Sequence, residues 1–279
     1  MKKTLLLLLF TVFISKNLNA TQWMTSYEDA RKIAIATNKF ILVDFWATWC
    51  GPCLKMDSES WSKEDVQLVM NNFVPLKIDI DVERSLSSKF NIQSIPHVFI
   101  LDPNGEVVNE QKSYINKQKV LNFLEKYSYN TPMLQPSFAG FYKNNEGDMS
   151  LEIAEKYLDF SLYVKDDVKN NFISLADKYL SITSKLYKKE GSKSKNSQRI
   201  GMLEDIYINV LKGKYEKSLG KLDKDFIEEK IEESNKKLYT YLKFIIYYKL
   251  DKNEQSKIWY EKLKLFDGYK DLLAKSRKV

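Results

Sequence analysis

The sequence predicts an α/β domain followed by an all-α helical domain. Three observations carry this. Apolar runs at residues 40–43, 73–80 and 97–101 alternate with capped or amphipathic segments, the pattern of a sheet buried on both faces. The texture then changes near residue 130: 13 of the 17 tyrosines lie beyond it, and valine gives way to Lys, Leu and Tyr. Beyond that point apolar residues recur at spacings of three and four, as on amphipathic helices.

Residues 1–20 read as a secretory signal peptide. Lys2 and Lys3 make a positive start, residues 4–14 carry no charge and are mostly Leu and Phe, and a polar stretch ends at the small residue Ala20. As a helix this apolar core would span about 16 Å, against about 30 Å of bilayer hydrocarbon. Cleavage after Ala20 is expected; an uncleaved anchor is the alternative. No later stretch reaches the ~18 apolar residues of a membrane span. The expected location is an exported space, a bacterial periplasm, with no stable membrane insertion after cleavage.

The α/β part, residues 21–130, is read in order. Thr25 and Ser26 precede Glu28 and Asp29 at capping-box spacing, and Ala30, Ile33 and Ala34 carry a helix to about Asn38. Residues 40–43 form a first strand. A helix starts after Cys50-Gly51-Pro52-Cys53, because Pro suits a helix's first turn. Ser62 with Asp65 caps a second helix through Asn72. Residues 73–80 are a strand, 83–90 a helix and 97–101 a strand. Asp102-Pro103-Asn104-Gly105 is a turn, and residues 106–109 its hairpin partner. Asn116 caps a closing helix through Tyr127.

Residues 131–140 hold two prolines and little periodicity, and read as a linker. The helical domain, 141–279, carries four stripes: Phe172 to Leu186, Ile200 to Leu211, Leu238 to Leu250, and Ile258, Trp259, Leu263 and Phe266. Residues 191–197 form a polar connector. Charge divides unevenly: residues 21–130 hold 12 basic and 14 acidic groups, net −2, and 131–279 hold 29 and 23, net +6. The basic runs fit a solvated helix face or a surface for acidic partners; nucleic acid is not expected of an exported protein.

Two cysteines and one histidine exclude a disulfide-rich scaffold and the common four-ligand zinc sites. No metal-ligand set, Gly-rich phosphate loop or Ser/His/Asp arrangement is found, and no cofactor is expected. An exported compartment is oxidising, so the cysteine pair needs a chemical explanation.

The run Val43-Asp44-Phe45-Trp46-Ala47-Thr48-Trp49-Cys50-Gly51-Pro52-Cys53 resembles the thioredoxin family. The resemblance covers about residues 24–127. Lys77-Ile78-Asp79 is similar to the family's second central strand, Ile95-Pro96 to its cis-proline loop, and Asn104-Gly105-Glu106 to its hairpin turn. It implies a thioredoxin-like fold and a thiol–disulfide oxidoreductase that uses a Cys50–Cys53 disulfide. Cys50 is then the nucleophile and Cys53 the resolving cysteine. A helix N-terminus favours the Cys50 thiolate, the form that attacks disulfides.

By the same resemblance Asp44 is a buried carboxylate that shuttles a proton for Cys53, with Lys77 its neighbour; burial would raise its pKa towards neutral. Pro96 would be cis and expose the Ile95 backbone to an extended substrate. Trp49, Gly51, Pro52, Ile95 and Pro96 would form the substrate-binding surface. His97 stands where the family usually carries a small residue, in either a structural or a redox-tuning role.

One departure matters. The family's proline within the active-site helix is missing, and Met56 to Trp61 occupies that region. This part looks more like exported thioredoxin-like domains that end membrane electron-transfer proteins. The partners implied are disulfide-containing protein substrates and an upstream electron donor, for which a membrane thiol–disulfide transporter is one candidate. The helical domain would select or position substrates. A reading from another class is a helical protein-binding scaffold whose thioredoxin-like part is a redox-dependent docking module with little turnover.

Overall fold

The protein is described by a computed structural model. It describes residues 22–192 and 196–279. The expected signal peptide, residues 1–20, lies outside the described residues.

Helix α1 (Tyr27–Thr37) begins where the Ser26 hydroxyl accepts the Asp29 N–H at 3.3 Å, and ends at Asn38 in the left-handed conformation. Strand β1 (Phe40–Trp46) is followed by α2 (Gly51–Met56), which widens into a π-helical turn over Asp57–Trp61. Then come α3 (Glu64–Met70), β2 (Phe73–Asp79), α4 (Arg84–Lys89), β3 (His97–Leu101), β4 (Val107–Lys112) and α5 (Lys117–Tyr127). Asn116 caps α5 as expected. Ser62 does not cap α3: that position belongs to Lys63, and the Ser62 hydroxyl donates to the Ser58 carbonyl at 2.9 Å, closing the π turn instead.

The sheet order is β2-β1-β3-β4, with β1 and β2 parallel and the other pairs antiparallel. Because side chains alternate along a strand, β1 feeds two cores. Ile41, Val43 and Phe45 pack with Ala30, Ala34 and Phe99 on one face. Phe40 and Leu42 pack with Met56, Val66 and Leu124 on the other. Both faces are buried, which is why the run is continuously apolar. Asp44 is the exception on the second face, paired in register with Lys77 on β2 and Val98 on β3.

The stretch read as a linker is folded. Thr131 donates its N–H and its hydroxyl to the Asn38 carbonyl, at 3.0 and 3.2 Å. A 3-10 turn (Pro132–Leu134) leads into α6 (Gln135–Asn144). The two prolines that suggest a linker sit in the first turns of these helices, where their missing N–H costs nothing. Further helices follow: α7 (Gly147–Phe160), α8 (Asp166–Lys189), α9 (Ser197–Gly201), a π turn (Met202–Tyr207), α10 (Ile208–Leu211), α11 (Tyr215–Asp225), α12 (Glu233–Lys249), α13 (Asn253–Leu263) and α14 (Tyr269–Ser276). The buried stripe of α8 runs through Tyr179, Leu180, Thr183 and Tyr187, so Ile182 and Leu186 are only half-buried. Ile258, expected in a buried stripe, is 57% exposed.

The helical region docks on the sheet through one aromatic and one polar contact set. Phe172 of α8 stacks on Phe40 and on Tyr157 of α7, with ring centroids 6.0 and 6.1 Å apart. Asp102, fully buried at the end of β3, accepts the Tyr179 and Tyr157 hydroxyls at 2.6 and 3.2 Å. Its other oxygen accepts the backbone N–H groups of Asn104 and Glu106. Gly105 completes this turn at φ +89°, and a Cβ there would lie 1.9 Å from the Tyr27 hydroxyl. Leu101 pairs with Ile41 near the start of β1, so this junction lies about one strand length, ~20 Å at ~3.3 Å per residue, from the loop after Trp46.

Candidate functional site

The site forms where β1 ends and α2 begins. Cys50 is the N-cap of α2, and its Sγ accepts the Cys53 N–H at 3.2 Å. Pro52 lies in the first turn. The two sulfurs form a disulfide, with Cα atoms 5.2 Å apart. Both cysteines are buried, at 3% and 2% exposure, in a small cluster with Ala47 against which Trp46, Ile80 and Ile95 pack. Gly51 and Pro52 are exposed beside them. A sulfur at this position meets unpaired N–H groups and the positive end of the helix dipole.

Asp44 is 2% exposed, on the face of β1 that also carries Phe40 and Leu42. Burial pushes its pKa from 3.8 up to about 7; Lys77 opposes that rise and Asp57 adds to it. Lys77 Nζ stands 4.0 Å from Asp44 Oδ2, but its hydrogen bond goes to Asp57 Oδ1 at 2.5 Å. The ammonium also lies over the Trp46 ring, 4.5 Å from its centroid. The Trp61 indole N–H is close enough to lower the Asp44 pKa, yet neither it nor Asp44 Oδ1 completes a hydrogen bond. Asp44 therefore has a shared cation and an unsatisfied oxygen, conditions that keep a carboxyl protonated near neutrality.

The Ile95–Pro96 peptide is cis. Pro96 is buried and Ile95 half-buried in the dithiol cluster. Trp49 stands at the edge of the site. It is 66% exposed, and its indole N–H donates to Asp81 Oδ2 at 2.7 Å, which holds the ring at the rim. His97 points to the face opposite Asp44, against Phe99, with centroids 4.2 Å apart. Its Nε2 is 3.0 Å from Glu110 Oε2. Burial lowers its pKa, and Glu110 partly offsets this. The ring thus packs on Phe99 and pairs with Glu110.

The comparisons bear on this part of the chain. A family model described as a thioredoxin-like domain matches residues 27–128. The chain is 31% identical over 91 residues to the thioredoxin of Mycoplasmoides gallisepticum, spanning 33% of this chain and 87% of that one. It is 35% identical over 79 residues to thioredoxin-1 of Drosophila melanogaster, spanning 28% and 72%. The chain belongs to the thioredoxin family. Among solved structures, a Thermus thermophilus thioredoxin is 20% identical with a TM-score of 0.35, covering 38% of this chain and 85% of that one. The oxidised C-terminal domain of Neisseria meningitidis DsbD is 20% identical with a TM-score of 0.32, covering 37% and 98%. The thioredoxin-like fold comes first and a largely helical region follows it.

Three residues of this thioredoxin site escape a reading of the motif. Asp57 follows Cys53 by four residues, but its bond to Lys77 joins positions 20 residues apart and carries no local signal. Trp61 ends the π turn and lies near Asp44, a place that a reading by regular 3.6-residue periodicity does not anticipate. Asp81 belongs to the loop after β2 and carries no local signal.

Proposed function

We propose that this chain is an exported thiol–disulfide oxidoreductase that reduces or exchanges protein disulfides. The observation that carries the reading is the Cys50–Cys53 pair at the start of α2, which follows the strand that holds the buried Asp44. The N-terminal Lys2-Lys3, apolar core and Ala20 support export.

In the reduced form the Cys50 thiolate attacks one sulfur of a substrate disulfide. A mixed disulfide forms, and the first substrate thiolate leaves and takes up a proton. Asp44 in its carboxylate form removes the Cys53 proton, which a carboxyl with a pKa of about 7 can accept and return near neutral pH. The Cys53 thiolate then attacks Cys50 Sγ and expels the second substrate thiolate. Two electrons pass to the substrate, and the protein is left with the Cys50–Cys53 disulfide. An upstream dithiol must restore the reduced form. Lys77, shared between Asp57 and Asp44, positions the proton acceptor. Trp49, Gly51, Pro52, Ile95 and Pro96 form the surface that an extended substrate segment meets.

The test is reduction of insulin disulfides with dithiothreitol as electron source. Turnover well above that of a Cys50→Ser control is expected. Turnover equal to that control would remove the enzymatic reading. A Cys53→Ser variant should accumulate mixed disulfides whose partners can be identified.

A further inference from the structure

Three indoles gather at the Lys77–Asp44 pair. Lys77 Nζ lies 4.5 Å from the centre of the Trp46 ring and 5.7 Å from that of Trp23. Trp23 in turn meets Trp61 edge to face, with ring centroids 5.5 Å apart and planes at 81°. The short arm before α1 fixes Trp23 there. Met24 donates its N–H to the Pro75 carbonyl and accepts the Lys77 N–H, both at 2.9 Å, so the arm is pinned to β2 beside Lys77.

Trp61 ends the π turn at 3% exposure. Its Nε1 is sealed from solvent and completes no hydrogen bond, and Asp44 Oδ1 is in the same condition. A buried indole N–H usually finds a partner, and leaving one open is costly. These two atoms belong to neighbours: the indole N–H is near enough to favour the charged form of the carboxyl. Lys77 does not relieve Asp44 Oδ1, because it stands 4.0 Å from Oδ2 and gives its hydrogen bond to Asp57. The charged groups facing Asp44 are Lys77 from β2 and Asp57 from the π turn; from β3 its register partner is Val98, which does not ionise. A donor and an acceptor left open side by side suit a bond whose strength follows charge. A neutral carboxyl holds an N–H weakly, whereas a carboxylate holds it at shorter distance and about twice as strongly.

We propose that Trp61 is a positioning residue of the dithiol reaction: its indole N–H closes onto Asp44 Oδ1 when Asp44 is ionised and opens when Asp44 is protonated. The inference rests on Asp44 acting as the base for Cys53. In that step the Cys53 S–H bond breaks, its proton passes to Asp44, and the indole keeps its own proton throughout. The N–H favours the carboxylate, so Asp44 ionises at a lower pH than burial alone would allow. Trp23 packs on the Trp61 ring, so the arm before α1 joins the proton-transfer apparatus through Trp61.

The experiment follows the indole N–H resonances of the full chain in its disulfide form by NMR as pH is raised through neutrality. The Trp61 signal, assigned by its proximity to the Trp23 ring, is expected to move downfield with a midpoint at the Asp44 pKa of about 7. In Asp44→Asn the movement should disappear. Asp102, which titrates over the same range at the other end of β3, is untouched in that control. Trp61→Phe keeps an aromatic ring and loses the donor. It should raise the Asp44 midpoint, read from the side-chain carboxyl carbon, by about one pH unit. The pH at which insulin turnover reaches half its plateau should rise with it. A ring kept for packing alone predicts lost stability with both midpoints in place. An indole signal that does not titrate, or that titrates equally in Asp44→Asn, overturns the inference, and so does an Asp44 midpoint unchanged in Trp61→Phe. If Trp61→Phe does not fold, the wild type against Asp44→Asn still decides. The titration needs no turnover, so its failure and the failure of insulin reduction are told apart.

Discussion

Replacing Asp44 by Asn tests the physical basis of the site more directly than any activity measurement. Burial moves the Asp44 carboxyl from 3.8 to about 7. At about 1.36 kcal/mol per pH unit, this amounts to at most about 4 kcal/mol. The sign follows from where the protons are. Between the two values the unfolded chain has lost its proton while the folded protein keeps it. Stability therefore falls as pH rises through this window, and levels off above about 7. Asn cannot titrate, so the difference in unfolding free energy between Asp44→Asn and wild type should grow with pH. It starts from whatever offset the amide itself imposes at pH 4 and rises by up to about 4 kcal/mol by pH 8. Asp102, whose pKa burial also raises to about 7, titrates in both proteins and cancels in the difference. Urea unfolding of the disulfide form, followed by tryptophan fluorescence from pH 4 to 8, measures this. A difference that stays flat with pH, or grows towards acid, would refute the account of Asp44 as a destabilised buried carboxyl.

Two further outcomes follow from named contacts. Asp57→Asn removes the carboxylate that holds Lys77 at 2.5 Å and raises the Asp44 pKa, so the pH at which insulin turnover reaches half its plateau should move down. Tyr179→Phe takes the 2.6 Å donor from Asp102 and should cost about 1–3 kcal/mol in urea unfolding. Because that hydrogen bond lowers the Asp102 pKa, the loss should also extend the fall in stability to higher pH.

The first domain was legible because its signals are local. The apolar run 40–43 reads as a strand, which the structure extends to Trp46, Ser26 and Asn116 cap where short polar side chains cap, and the cysteine spacing fixes which residues share the first turn of α2. Asp44 stood out as a charge within a buried run. What stayed hidden depends on contacts far apart in sequence or on irregular backbone. The π turn that carries Trp61 breaks the periodicity on which a helix face is read. The role of Asp102 needs tyrosines 55 and 77 residues away. Pro132 and Pro136 suggested a linker because a helix-starting proline and a linker proline look alike without their neighbours.

The expectation that the helical region selects or positions substrates has to accommodate where that region attaches. Its contacts gather at the Asp102 turn and the start of β1, at the pole away from Cys50. Magnitudes show which of them join the two parts. Lys126 pairs with Asp167 at 2.8 Å and Lys178 with Glu106, but these pairs are largely exposed, and such pairs contribute about 0–1 kcal/mol each. Phe172 and Phe40 are fully buried, and each contributes about 1.5–3 kcal/mol by leaving water. Asp102 takes donors from both parts and so fixes the geometry of the junction, although the desolvation that raises its pKa to about 7 opposes the gain. The junction is therefore built as a core and not as a hinge, and the ion pairs only tune its edge. The attachment at the far pole leaves Trp49 and Pro52 exposed to solvent. Any selection by the helical region would have to act through a surface of its own, at a distance from the sulfurs.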